Sequence, residues 1–192
     1  MISFPASRPP AQVRRRLAAA LFGLAMLAAC SPTYDWREIH GAEDGYIAMM
    51  PARPARLTRP IDLDGLKVSM SMQGARVEGL AFTVGEVVLP DDTAASREHA
   101  LAAMRTAMVR NIGGRESSAE AVAVPVVDTS GSRVGSAPGW RVEAAGRAQE
   151  REVTLLAVFA ARGARAWQAV VLGPSPDREQ SRQFLEGFRL VD

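Results

Sequence analysis

Residues 151–173 read "REVTLLAVFAARGARAWQAVVLG". From Val153 to Ala161 nearly every residue is apolar, so the run predicts a central strand buried on both faces. Gly163 sits in "ARGAR" and can take the positive φ that a tight hairpin needs. Ala164–Leu172 then returns as a second strand. Two apolar strands joined by so short a turn must pair antiparallel.

Working outward, Trp140–Ala148 alternates Arg141, Glu143, Ala145 and Arg147 against Val142, Ala144, Gly146 and Ala148, which predicts a third strand with one wet face. "AVAVPVVD" (121–128) predicts an edge strand, because Pro125 has no N–H for a ladder. "TSGSRVGSAPG" (129–139) predicts a loop. Leu66, Val68, Met70 and Met72 alternate with Lys67, Ser69, Ser71 and Gln73, a half-buried strand after a turn at Asp64–Gly65. Leu80–Leu89 follows beyond "GARVEG". Methionines at period two read as core filling rather than metal ligands. Tyr46–Met50 is a short strand, and "PARPARLTRP" (51–60) predicts extended, irregular chain. Residues 30–45 predict a polar tether, with Trp36 the first side chain to dock.

Two helices are predicted. "PDDTAASREHALAAMRTAMVRNIGG" (90–114) places Leu101, Met104, Met108 and Ile112 on one face. Asp91 or Asp92 caps it, acids suit its first turn, and Gly113–Gly114 ends it. "SPDREQSRQFLEGF" (175–188) offers Ser175 as cap and Pro176 at the first position, with Phe184, Leu185 and Phe188 buried. Hairpin-linked strands with separate helices predict an α+β fold, an antiparallel β-sheet with helices packed on it, as one globular domain over residues 46–192.

The N-terminus carries an address. Arg14, Arg15 and Arg16 precede Leu17–Ala29, thirteen residues without charge. As a helix this run spans roughly 20 Å against a hydrocarbon core of about 30 Å. A basic segment, a short apolar run and small residues make a secretory signal peptide over residues 1–29. Its end, Leu27-Ala28-Ala29-Cys30, resembles the lipobox of bacterial lipoproteins. That resemblance implies cleavage between Ala29 and Cys30 and acyl chains on Cys30, the only cysteine of the chain. More than one chain is needed because a single one binds membranes marginally. Ser31, rather than aspartate, implies by the same resemblance sorting to the periplasmic face of the outer membrane. Two alternatives stay open: an uncleaved inner-membrane anchor extending toward Tyr34, and export by the twin-arginine route at "VRRRLA".

Charge excludes one class of function. The formal net charge is +2, but four of the 23 basic residues, Arg8, Arg14, Arg15 and Arg16, precede Cys30 and none of the 21 acidic residues does. From Cys30 onward the balance is therefore −2 over 163 residues, which argues against a nucleic-acid surface. Lys67 is the only lysine. No disulfide is available to the domain, so packing must stabilise it.

"APGWRVEAAG", "LLAVFAARGARAWQAVVLG" and "FLEGFRL" resemble the C-terminal half of the PsbP-like fold, shared with the Ran-binding Mog family. Pro138-Gly139, Phe159, Gly163, Trp167, Phe184, Leu185 and Phe188 fill the matching positions, with Trp167 where that family more often has tyrosine. "DGYIAMMPARP" (44–54) resembles its opening strand and proline-rich turn. The resemblance implies an α/β/α sandwich and action by binding other proteins, with no catalytic residues.

Chemistry-bearing motifs are lacking. "GSAPG" puts its serine one place early for a nucleophile elbow. Lys67 has no glycine-rich loop before it. His40 and His99 have no partner at metal-ligand spacing. "DLDG" (62–65) lacks the later ligands of a calcium loop and reads as a turn, as does "GAEDG" (41–45). No cofactor and no enzymatic activity are expected. The expected role is a non-enzymatic binding or accessory module anchored by acyl chains on Cys30, with an envelope protein as partner. A small periplasmic hydrolase, a small-molecule binder or a subunit of an envelope complex are the alternatives.

Overall fold

The run at 151–173 becomes two paired strands in the middle of one ten-stranded sheet. The computed structural model describes residues 33–41 and 43–192. The signal peptide, its cleavage site at Ala29–Cys30 and the lipid attachment at Cys30 lie outside the described residues. In chain order the elements are β1 (Arg37–Gly41), β2 (Tyr46–Met50), β3 (Ala55–Leu63), β4 (Leu66–Val77), β5 (Leu80–Val88), α1 (Ala94–Asn111), β6 (Arg115–Val127), β7 (Arg133–Ala148), β8 (Arg151–Arg162), β9 (Arg165–Gly173), α2 (Arg178–Glu186) and β10 (Arg189–Val191). The sheet order is β1-β2-β10-β6-β7-β8-β9-β5-β4-β3.

The expected α+β architecture is corrected by this arrangement. The described chain is 58% strand and 17% helix, and its sheet is a curled, mixed half-barrel, not a sandwich with helices packed on an antiparallel sheet. The sheet is mixed because β10 runs parallel to β6, pairing Leu190 with Val126 and Val191 with Val127. Three segments predicted as non-strand account for the rest. The tether contains β1, which pairs with β2 from Arg37↔Met50 to Gly41↔Tyr46. The proline-rich stretch contains most of β3, where Pro60 sits opposite Ser69. β3 ends the sheet, so the missing N–H of Pro60 breaks no second ladder. The predicted loop before Trp140 is the first half of β7.

β8 lies between β7 and β9, and alternate residues feed two cores. Val153, Leu155, Ala157, Phe159 and Ala161 join a first core with Leu101 and Met104 of α1 and Val142 and Ala144 of β7. Val158 and Ala160 join a second with Tyr46 and Met50 of β2, Phe82 and Val84 of β5, Trp167 of β9 and Phe184 of α2. Each fully buried side chain of this size contributes roughly 1.5–3 kcal/mol. Both cores are built wholly within Tyr34–Asp192, a compact unit by itself. Strand β2 crosses the second core because the sheet curls. Twist accumulated over ten strands brings the turn before β2 onto β9 and β3 at the far end: the Trp167 indole N–H donates to the Asp44 carbonyl at 2.6 Å, and Arg56 donates to the Asp44 carboxylate at 2.9 Å.

The helix ends differ in detail from expectation. Thr93 caps α1, accepting from the Ser96 N–H at 3.2 Å, and no acid lies in the first turn. Asp91 holds the cap instead, accepting from the Thr93 N–H and hydroxyl. The far end closes as a Schellman motif, Gly113 N–H to Arg110 carbonyl and Gly114 N–H to Val109 carbonyl. Asp177, not Ser175, caps α2, accepting from the Gln180 N–H at 2.9 Å.

Candidate functional site: a methionine-lined cleft

α1 does not cover the first core evenly. Arg105 pairs with Glu116 of β6 and stands over the Trp140 ring of β7 at 5.2 Å from its centroid. A hollow of about 440 Å³ lies on this flank too, between Ala94, Arg97, Glu98 and Leu101 of α1 and Pro138–Trp140 of β7. The opposite flank of α1 faces the β3–β4 hairpin across a gap. The apolar residues of the first core left only partly buried include Ile61, Met72, Met108, Ala148 and Leu172, and all five line a cleft of about 510 Å³. The cleft is thus the open margin of the core.

Its walls follow from two periodicities. Met70 and Met72 are two apart on β4 and share a sheet face; Met104 and Met108 are four apart on α1 and share a helix face. All four line the cleft, with Ile61 and Leu63 of β3 and Ile112 after α1. Thioether side chains are flexible and polarisable, which suits a surface that adapts to an apolar guest. Gln168 of β9 is only 6% exposed and also lines the cleft. Its amide nitrogen lies 3.8 Å from the sulfurs of both Met70 and Met108, which are weak acceptors. Gly85 on the neighbouring strand leaves room for this group: a Cβ there would stand 3.2 Å from the Met70 sulfur and 3.3 Å from Gln168 Cγ. Arg59, Arg110, Asn111 and Asp62 also line the cleft. A neighbouring hollow of about 410 Å³ shares Asp62, Ala107 and Arg110 and is lined as well by Asp64 and His99.

A second polar cluster lies at the seam of the curl. Asp44 and Glu86 are 5% and 4% exposed. Arg165 stands 3.5 Å from a Glu86 oxygen and donates to the Glu43 carbonyl at 2.7 Å. Burial pushes the Glu86 carboxyl up to about 7, and the Asp44 charge adds to this, while Arg165 and Arg56 oppose it. Burial, helped by Asp44, also raises the Tyr46 phenol. Asp44 Oδ2, the Tyr46 hydroxyl and Glu86 Oε1 have no hydrogen-bond partner among the described residues. None of these three residues lines either hollow described above.

The residues singled out in sequence fall as follows. "DLDG" is the β3–β4 turn, where Asp62 accepts from the Gly65 N–H at 2.6 Å, and of "GAEDG" Gly41 ends β1 and residues 43–45 form a turn before β2. His40 is on the surface, 3.0 Å from Glu38. His99 is exposed on α1, its Nε2 3.3 Å from the Leu63 carbonyl. Among the described residues no group of three or more His, Cys, Asp or Glu side chains is placed to hold a metal ion. No helix among them is long and apolar enough to cross a membrane. Of the methionines expected as core filling, Met70 and Met104 are buried, while Met72 and Met108 stay half-buried and line the cleft. Glu86 was not singled out, although it is the one charge in Leu80–Val88.

Comparison with protein-family models and with curated proteins finds no match for this chain.

Proposed function

We propose that this chain is a non-enzymatic binding module of the bacterial envelope, held to the membrane by acyl chains on Cys30 and taking a small apolar molecule into the cleft between α1 and β3–β4. The observation that carries the binding site is the methionine-lined hollow of about 510 Å³. It falls within the range of roughly 300–1,000 Å³ usual for small-molecule sites, with an apolar lining and a few polar groups at fixed places. The anchor rests on the Leu27-Ala28-Ala29-Cys30 motif, and Ser31 favours the periplasmic face of the outer membrane. Against the expectation of a protein partner alone, this reading puts a small ligand first.

The anchor is tested by intact mass and membrane fractionation beside Cys30→Ala. The reading expects acylated protein starting at Cys30 in outer membranes, lost in the variant. Retention of residues 1–29 in the inner membrane would contradict it. The cleft is tested by titrating the Tyr34–Asp192 domain with N-phenyl-1-naphthylamine, an uncharged fluorophore that brightens in apolar sites. Ala107→Trp, at a half-buried position in the cleft, should abolish the signal. An unchanged titration would place binding elsewhere.

A further inference from the structure

We infer that the ligand of this cleft is a single-chain anionic amphiphile, its tail against the methionines and its acidic head between Arg59 and Arg110. This rests on the reading of the cleft as a binding site and adds the class of molecule it takes. The two arginines come from opposite walls. Arg59 is on edge strand β3, paired in register with Met70, and Arg110 is in the last turn of α1, two residues after Met108. Both line the cleft, and the guanidinium of neither has a salt-bridge or hydrogen-bond partner among the described residues. Three other arginines of this domain are ion-paired with partly or fully buried acids: Arg56 with Asp44, Arg105 with Glu116, Arg165 with Glu86.

A charge at each position has a local use. A basic residue near a helix C-terminus suits the dipole, and a charge on an edge strand discourages strand pairing. Neither use requires the two charges to converge on one apolar hollow. Among the described residues the only acid lining that hollow is Asp62, and one of its oxygens is taken by the Gly65 N–H. A guest with an uncharged head gains little from these two exposed guanidinium groups, and one with a cationic head is repelled by them. A carboxylate or phosphate monoester satisfies both, because the guanidinium fork matches either in geometry. Gln168, deeper and short of good partners, adds a donor to a polar atom along the chain.

The test is isothermal titration of the Tyr34–Asp192 domain, which holds both cores, below micelle-forming concentrations. The probes are dodecanoate, dodecyl phosphate, dodecanol and dodecyltrimethylammonium. The inference expects at least one anion to bind ~10-fold or more tightly than dodecanol and the cation, a preference that shrinks as salt rises. Whichever anion leads tells a fatty acid from a phosphate-headed lipid. Arg59→Glu combined with Arg110→Glu should erase the preference and leave dodecanol within about 2-fold, since an uncharged head gains little from either charge. Arg59→Gln and Arg110→Gln singly should each remove part of it, and circular dichroism confirms that these exposed substitutions leave the fold intact. Dodecanol binding as tightly as the anions, or a preference that survives the double variant, overturns the inference and leaves the cleft standing. If no probe binds, or Ala107→Trp changes nothing, the cleft reading itself falls.

Discussion

Glu86 sits on β5 directly opposite Trp167 of β9, in a strand otherwise free of charge. Its carboxyl is held near 7 in the folded chain against an ordinary 4.5. Unfolding therefore releases a proton wherever the pH lies between those values, and folded stability falls as pH rises through that window. The difference corresponds to at most about 3 kcal/mol, fully expressed above about pH 7. Asp44, Tyr46, Arg56 and Arg165 surround the group, so part of this is shared with them. Thermal melts of the Tyr34–Asp192 domain should show Tm declining between about pH 5 and about pH 8. Glu86→Gln should flatten that decline and raise Tm at the alkaline end. An identical slope in the variant would mean that Glu86 titrates as an exposed carboxylate. Nothing in the local pattern announced this residue, since its burial comes from the β1–β2 turn folding over it from the far end of the sheet.

At the scale of elements, the hairpins divide into those visible in sequence and those that were not. Gly163–Ala164 joins Arg162 to Arg165 with φ of +56° at Gly163, as the glycine announced. Gln149–Glu150 joins Ala148 to Arg151 with φ of +50° and +68°, and no glycine or asparagine marks it. Both strands were nonetheless legible, because alternation on one and the apolar run on the other force a reversal between them. A left-handed non-glycine residue costs roughly 1–2 kcal/mol, partly offset by the extra chain entropy of glycine. Glu150→Gly should accordingly stabilise the domain by about 0.5–1 kcal/mol in urea unfolding. A loss of stability would show that the side chain is worth more than the strain. The N-terminal segment departs further from expectation, since the predicted tether holds strand β1. Tyr34 stacks on Trp36, both meet Phe82 edge-on at 6.3 and 6.1 Å, and the Trp36 indole donates to Gln180 at 3.1 Å. Sequence flagged Trp36 as a docking residue but not the strand that follows it, since "REIHG" is too short and polar to declare itself. Trp36→Ala should cost about 2–3 kcal/mol, somewhat less than a fully buried tryptophan. A cost below about 0.5 kcal/mol, the level of an ordinary surface change, would restore the tether.

For the whole molecule, the central strands, α1 and the second helix were legible because burial on both faces, alternation and 3.6-residue spacing are local signals. The curl was not. It depends on β10 slipping in parallel beside β6, far from it in sequence, and on a proline-rich stretch serving as an edge strand because β4, next along the chain, pairs with it. The cleft follows from the curl. The same methionine pattern that marks a closed core in one arrangement lines an open margin where α1 and the β3–β4 hairpin stand apart. The most direct test of that margin as a binding site is a methyl-NMR titration of the Tyr34–Asp192 domain labelled at methionine, with dodecanoate added. The methyl signals of Met70, Met72, Met104 and Met108 should shift together and saturate, while those of Met49 and Met50, on the strand at the other end of the sheet, should stay in place. Shifts confined to Met49 and Met50, or no shift at any methionine, would contradict the account.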